Sequence, residues 1–134
     1  MPTFSHYPLQ QSIYQALTAD SQLMSLVVGV FDRVPQGTAY PYVTIGESVG
    51  SDWSTKTTSG MEQNVSLHIW SRQGGRAEAA NIMTRIHTLL HEVPLTVIGQ
   101  TLVSIRFSGS GITLENDGWT YQGVMKFQAF LQAS

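Results

Sequence analysis

The chain has no cysteine among its 134 residues. That excludes disulfide staples, thiol nucleophiles and cysteine-ligated metals, and it fits a reducing compartment. Charge is also scarce. Only 12% of residues are charged, the net charge is -2, and no basic block occurs. A high-affinity nucleic-acid groove is not expected of such a chain. Long apolar runs are missing too; none approaches the ~20 residues needed to span a bilayer. The opening Met1-Pro2-Thr3-Phe4-Ser5 has neither a charged leader nor a long apolar segment, so no signal peptide is expected. Ser, Thr, Gln and Gly are plentiful instead, which fits a surface largely covered by partners. The length suits one domain, residues 1–134, with a core that stands without staples.

The strongest pattern runs from Val65 to Val93. Val65, Leu67 and Ile69 alternate with Ser66, His68 and Trp70, so residues 61–70 form a strand with an apolar and a polar face. Arg72-Gln73-Gly74-Gly75 stops it. From Arg76 the spacing becomes helical: Ala79, Ile82, Met83, Ile86, Leu89, Leu90 and Val93 form one stripe. Glu78, Asn81, Arg85, Thr88 and Glu92 take the solvent side, where loss of a side chain such as Arg85 costs little. Pro94 ends the helix.

Two shorter helices precede this unit. The first has Pro8 in its opening turn and Leu9, Ile13, Ala16 and Leu17 on one side. The second is capped by Asp20 or Ser21 and runs to Leu26. Residues 30–34 make a short strand and 34–37 a type I turn. Residues 42–49 make a strand with Val43, Ile45 and Val49 on one face. Residues 50–60 then form a long polar loop. After the main helix, 95–98 and 102–107 flank a tight turn at Gly99-Gln100. Gly109 and Gly111 bend the chain before 112–114. The last strand, 119–131, places Trp119, Tyr121, Met125, Phe127, Ala129 and Leu131 on one face. The class is α+β: a mostly antiparallel sheet, with one long helix and the N-terminal helices on one face.

Candidate chemistry is thin. His87 and His91 are four apart on one helix, but Thr88 stands where a zinc protease needs glutamate. His68 is the other nearby imidazole, and two solvated histidines beside the stripe is the better account. Gly74-Gly75 with Arg72 and Arg76 resembles an anion cradle, yet neither common phosphate motif is present. Glu62, Ser66 and His68 share one strand face and point in parallel, not at one atom. The other carboxylates are scattered. No catalytic, metal or cofactor site is expected, and the chain reads as a non-enzyme. Trp70, on the polar face, and Trp53, in the polar loop, remain as interface candidates. Asp52 and Lys56 accompany Trp53; Arg72 and Arg76 accompany Trp70. The 50–60 loop reads as an assembly element that orders on contact.

An ordered set of segments carries a family resemblance. It comprises Ile13-Tyr14-Gln15-Ala16-Leu17, Val34-Pro35-Gln36-Gly37-Thr38, Tyr40-Pro41-Tyr42-Val43-Thr44-Ile45-Gly46 and Leu67-His68-Ile69-Trp70-Ser71. Gly75-Arg76-Ala77-Glu78-Ala79, Leu89-Leu90-His91 and Asp117-Gly118 follow. The chain resembles the tail completion, or tail terminator, proteins of long-tailed phages, prophages and gene transfer agents. The resemblance implies an α+β subunit of a homo-oligomeric ring, of six copies. The ring caps the tail tube, stops its polymerisation and joins the head connector, while DNA passes through the lumen without specific binding. It implies a place at the neck end of the virion tail, after assembly in the host cytoplasm, with no membrane partner. A neck adaptor of the head–tail interface is the near alternative. A small-molecule-binding α+β domain or enzyme is the alternative from another class.

Overall fold

The computed structural model describes residues 6–133. The opening segment read above for a leader lies outside them. Alternating apolar residues build five strands: β1 (Val30–Phe31), β2 (Tyr42–Asp52), β3 (Gly60–Ser71), β4 (Gln100–Leu114) and β5 (Tyr121–Ala133). They form one sheet in the order β1-β2-β3-β5-β4. The β1–β2 pair is parallel and the others are antiparallel. The helices are α1 (His6–Thr18), α2 (Ser21–Met24) and α3 (Ala77–Leu90).

All three helices pack on one face of the sheet. Leu9, Ile13 and Leu17 of α1 and Ile82, Ile86 and Leu90 of α3 are buried against it. The sheet contributes Val43, Leu67, Ile69, Met125, Phe127 and Leu131. Gly123 on β5 makes room for the Met83 side chain of α3: a Cβ there would lie 2.8 Å from Met83 Sδ, which would have to shift. Asp20 caps α2 by accepting from the Leu23 N–H at 2.8 Å. The α+β class and the one-sided helical layer agree with the sequence reading.

Several details differ from that reading. The main helix stops at Leu90, not before Pro94. Glu92 takes a φ of 57° and donates its N–H to the Ile105 carbonyl at 2.8 Å, so the chain leaves the helix to lie along β4. Val93 is therefore not part of the stripe. Residues 95–98 contribute a single bridge, Val97 to Gln100, not a strand. The segment 102–114 is not broken at Gly109 and Gly111; β4 runs through them with irregularities at 102/104 and 107/109. Val49 faces solvent at 63% exposure. A bulge between Ile45 and Ser48 reverses the alternation after residue 47. Trp119 precedes β5 and is exposed, not on its core face. The first strand shrinks to two residues, and the following turn shifts to 35–38, where Gly37 supplies a φ of 82°.

Candidate assembly surfaces

The tip of the β2–β3 hairpin is shorter and better held than a long polar loop. Strand β2 extends to Asp52 and β3 starts at Gly60, leaving seven connecting residues, 53–59. The Trp53 N–H donates to the Gly60 carbonyl at 2.9 Å, and Thr55 N–H to Thr58 at 2.8 Å. Asp52 Oδ1 accepts from the Ser54 hydroxyl at 2.6 Å, and Ser54 Oγ accepts from the Gly60 N–H at 3.0 Å. The Trp53 ring lies 4.8 Å from Phe130 of β5 and remains 38% exposed. The expectation that this loop orders only on contact is thus corrected: its backbone is laced to itself, and its tryptophan has an apolar neighbour. Lys56 is exposed at the tip.

A second aromatic group gathers at the other end of β3. The Arg72 guanidinium is stacked between Tyr40, 4.2 Å from the ring centre, and Trp119, at 4.1 Å. Its Nε donates to Thr120 Oγ1 at 2.9 Å, and Asp117 lies 3.8 Å away. Trp70 Nε1 donates to Thr44 Oγ1 at 3.1 Å, and the Trp70 ring stacks with Tyr42 and His68. Arg76 lies over Tyr121 at 5.3 Å. Hydrogen bonds from the Thr120 hydroxyl and from the Thr120 and Trp119 N–H groups, with Arg72 nearby, hold the Asp117 carboxyl down at about 2. Burial, reinforced by Tyr40, pushes the Tyr42 phenol up to about 12. Sequence reasoning found Trp70, Arg72 and Arg76 but missed Tyr40, Tyr42 and Trp119. Tyr40 and Tyr42 come from one segment and Trp119 from another, and they meet around Arg72 and Trp70 only when β3 is placed beside β2 and β5.

The six candidate residues do not converge. Trp53, Asp52 and Lys56 sit at one end of the sheet, and Trp70, Arg72 and Arg76 at the other. The 12 residues of β3 hold these ends roughly 35 Å apart. The chemical candidates do not converge either. His87 and His91 stack at 4.6 Å, and His91 Nδ1 accepts from the Phe107 N–H at 3.0 Å. No group of three or more metal-ligating side chains occurs among the described residues. His68 is engaged by Gln122 at 2.7 Å, while Glu62 accepts from Gln128 at 3.0 Å and Asn64 at 3.2 Å. No described helix is long and apolar enough to cross a membrane.

Comparison with known proteins agrees with this architecture. The family model described as tail completion protein gp17 matches residues 11–132. Tail completion protein gp17 of Bacillus phage SPP1 is 31% identical over 120 residues, covering 88% of this chain and 87% of the relative. Among solved structures, a chain in the virion of a native gene transfer agent particle superposes with a TM-score of 0.87. The match has 27% identity and covers 93% of this chain and 95% of that one. The structure of SPP1 gp17 gives a TM-score of 0.63 at 26% identity, over 94% of each chain. Sequence and fold together place the chain in the tail completion protein gp17 family, whose matched members are structural tail proteins and not enzymes.

Proposed function

We propose that this chain forms a ring, of six copies, at the neck end of a virion tail. The ring caps the tail tube, ends its polymerisation and presents the surface that joins the head connector. It is built in the host cytoplasm, and DNA passes through its lumen without specific binding. The observation that carries the reading is the TM-score of 0.87, over nearly the whole chain, to a chain of a gene transfer agent virion. The placement of the candidate residues supports it. A protein held between tube and connector needs two docking ends, and the aromatic and charged groups lie at opposite ends of the sheet. The hairpin tip with Trp53, Asp52 and Lys56 serves one partner. The Trp70, Arg72 and Arg76 end serves the other.

The test is to remove the protein from particle assembly and examine the products by electron microscopy. Over-long tails and tail-less heads are expected, with a symmetric ring at the capped tail end when the protein is restored. Tails of normal length that fail only to join heads would replace this reading with a neck adaptor. Normal particles would overturn both.

A further inference from the structure

The sheet has two open edges that match each other. Strand β1 covers β2 only at Val43 and Thr44. Beyond them, among the described residues, no backbone hydrogen bond reaches the outer edge of 46–52. At the other side, β4 is protected at 105–107. There Glu92 donates to the Ile105 carbonyl, and the Phe107 N–H donates to His91 Nδ1. Residues 109–114 have no such cover among the described residues. Exposed strand edges pair readily, so proteins that keep them open without protection have a use for them.

Gly109 and Gly111 say what approaches. Neither has a positive φ, and a Cβ at either would meet nothing within 4 Å. Backbone conformation and internal packing therefore do not require glycine there. Glycine weakens a strand; the irregularity at 107/109 accounts for Gly109, whereas Gly111 pairs regularly with Val124 and leaves room for close approach by another chain. The two glycines open a groove of about 510 Å³ floored by Val124 and Lys126 on the sheet face that carries no helices. On the opposite edge, Val49 projects from β2 at 63% exposure, with Glu47 exposed two residues before it. A knob on one edge thus matches a hole on the other.

We propose that the groove's occupant is a second copy of this chain, joined by antiparallel pairing of its β2 edge, 46–52, with 109–114 of β4. Val49 seats opposite Gly111, which sets Ser51 opposite Gly109, beside Lys126. The direction follows from topology. Strands β2 and β4 run oppositely within the sheet, so head-to-tail repetition sets them antiparallel. Because β1 blocks the start of β2 and residues 91–92 block the middle of β4, the open halves meet only with a stagger. Stagger tilts strands about a common axis, as closure of a ring of strands requires. The contact uses two different patches, which is the heterologous type that closes into rings. The inference rests on the ring reading and names its subunit joint.

The absence of native cysteine makes the test direct. Particles carrying Val49→Cys with Gly111→Cys are oxidised and run on a non-reducing denaturing gel. A ladder of covalent oligomers is expected from the double variant and none from either single variant. Several copies per particle with no ladder would overturn the edge pairing and leave the ring. One copy per particle would overturn the ring and the pairing together. Gly111→Val covers the case in which the double variant fails to enter particles. With open space around it, the valine leaves the monomer's melting temperature unchanged or raises it, while incorporation falls tenfold or more. Normal incorporation of Gly111→Val would also overturn the pairing.

Discussion

Arg85 lies on the side of α3 that sequence spacing assigns to solvent, yet it is not idle. Its Nε and Nη2 donate to the two carboxylate oxygens of Asp20 at 2.8 and 2.7 Å. Asp20 is also the cap of α2, so one carboxylate ties the short helix to the long one. The Arg85 hydrogen bonds, then the Leu23 N–H, hold the Asp20 carboxyl at about 2, below its ordinary 3.8. A carboxylate depressed on folding stabilises the fold above the unfolded value and loses that contribution as pH falls through the folded one. Thermal melts should therefore show stability dropping between about pH 4 and pH 2, with Asp117 adding to the same window. Asp20→Asn should melt lower at neutral pH and show a shallower drop in acid. Arg85→Ala should also lower the neutral-pH melt. An Arg85→Ala melt equal to wild type at every pH would mean that the pair contributes nothing.

At the scale of elements, the unit formed by β3 and α3 was the most legible, because both of its patterns are local. Leu67 and Ile69 alternate along β3, and Ile82, Ile86 and Leu90 recur along α3; all five are buried. Ile86→Ala or Leu90→Ala should cost about 2–5 kcal/mol in chemical denaturation, as full burial implies. A loss below about 1 kcal/mol would mean that α3 is not the core element. The less legible features depend on partners distant in sequence. Val49 was misplaced because a bulge leaves no mark in an alternating pattern. Gly109 and Gly111 look like a break, but pairing with β5 carries β4 through them. Trp53 looked uncovered because its neighbour Phe130 lies on β5. The same blindness hid Tyr40 and Trp119 from Arg72. The structure changes the expected behaviour of the hairpin tip accordingly. Trp53→Ala should lower monomer stability measurably, since an aromatic pair contributes about 0.5–1.5 kcal/mol beyond its buried area. An unchanged melting curve would restore the loop to a purely external role.

At the scale of the whole molecule, the proposed ring raises the question of whether DNA could pass through it without being held. The chain has seven Lys and Arg residues against nine Asp and Glu. Several of the seven are already engaged: Arg85 by Asp20, Arg72 by two rings and Asp117, and Arg106 by Glu92 at 3.5 Å. The other exposed cations are dispersed. Arg33 follows β1, Lys56 is at the hairpin tip, Arg76 precedes α3 and Lys126 lies midway along β5. Lys56 and Arg76 are at opposite ends of β3, so the described surface has no continuous basic track. Assembly into the proposed ring would multiply acids and bases alike and leave the balance negative. Affinity for duplex DNA depends on neutralising phosphates in series and releasing their counterions. A chain that neutralises few should bind no tighter than roughly 10⁻⁴ M near physiological salt, with a shallow salt dependence. Fluorescence anisotropy with a labelled duplex, on monomer and ring, measures both quantities. Saturation at low micromolar concentration with a steep salt slope would reveal a phosphate track created by assembly. The lumen would then grip the DNA instead of letting it slide.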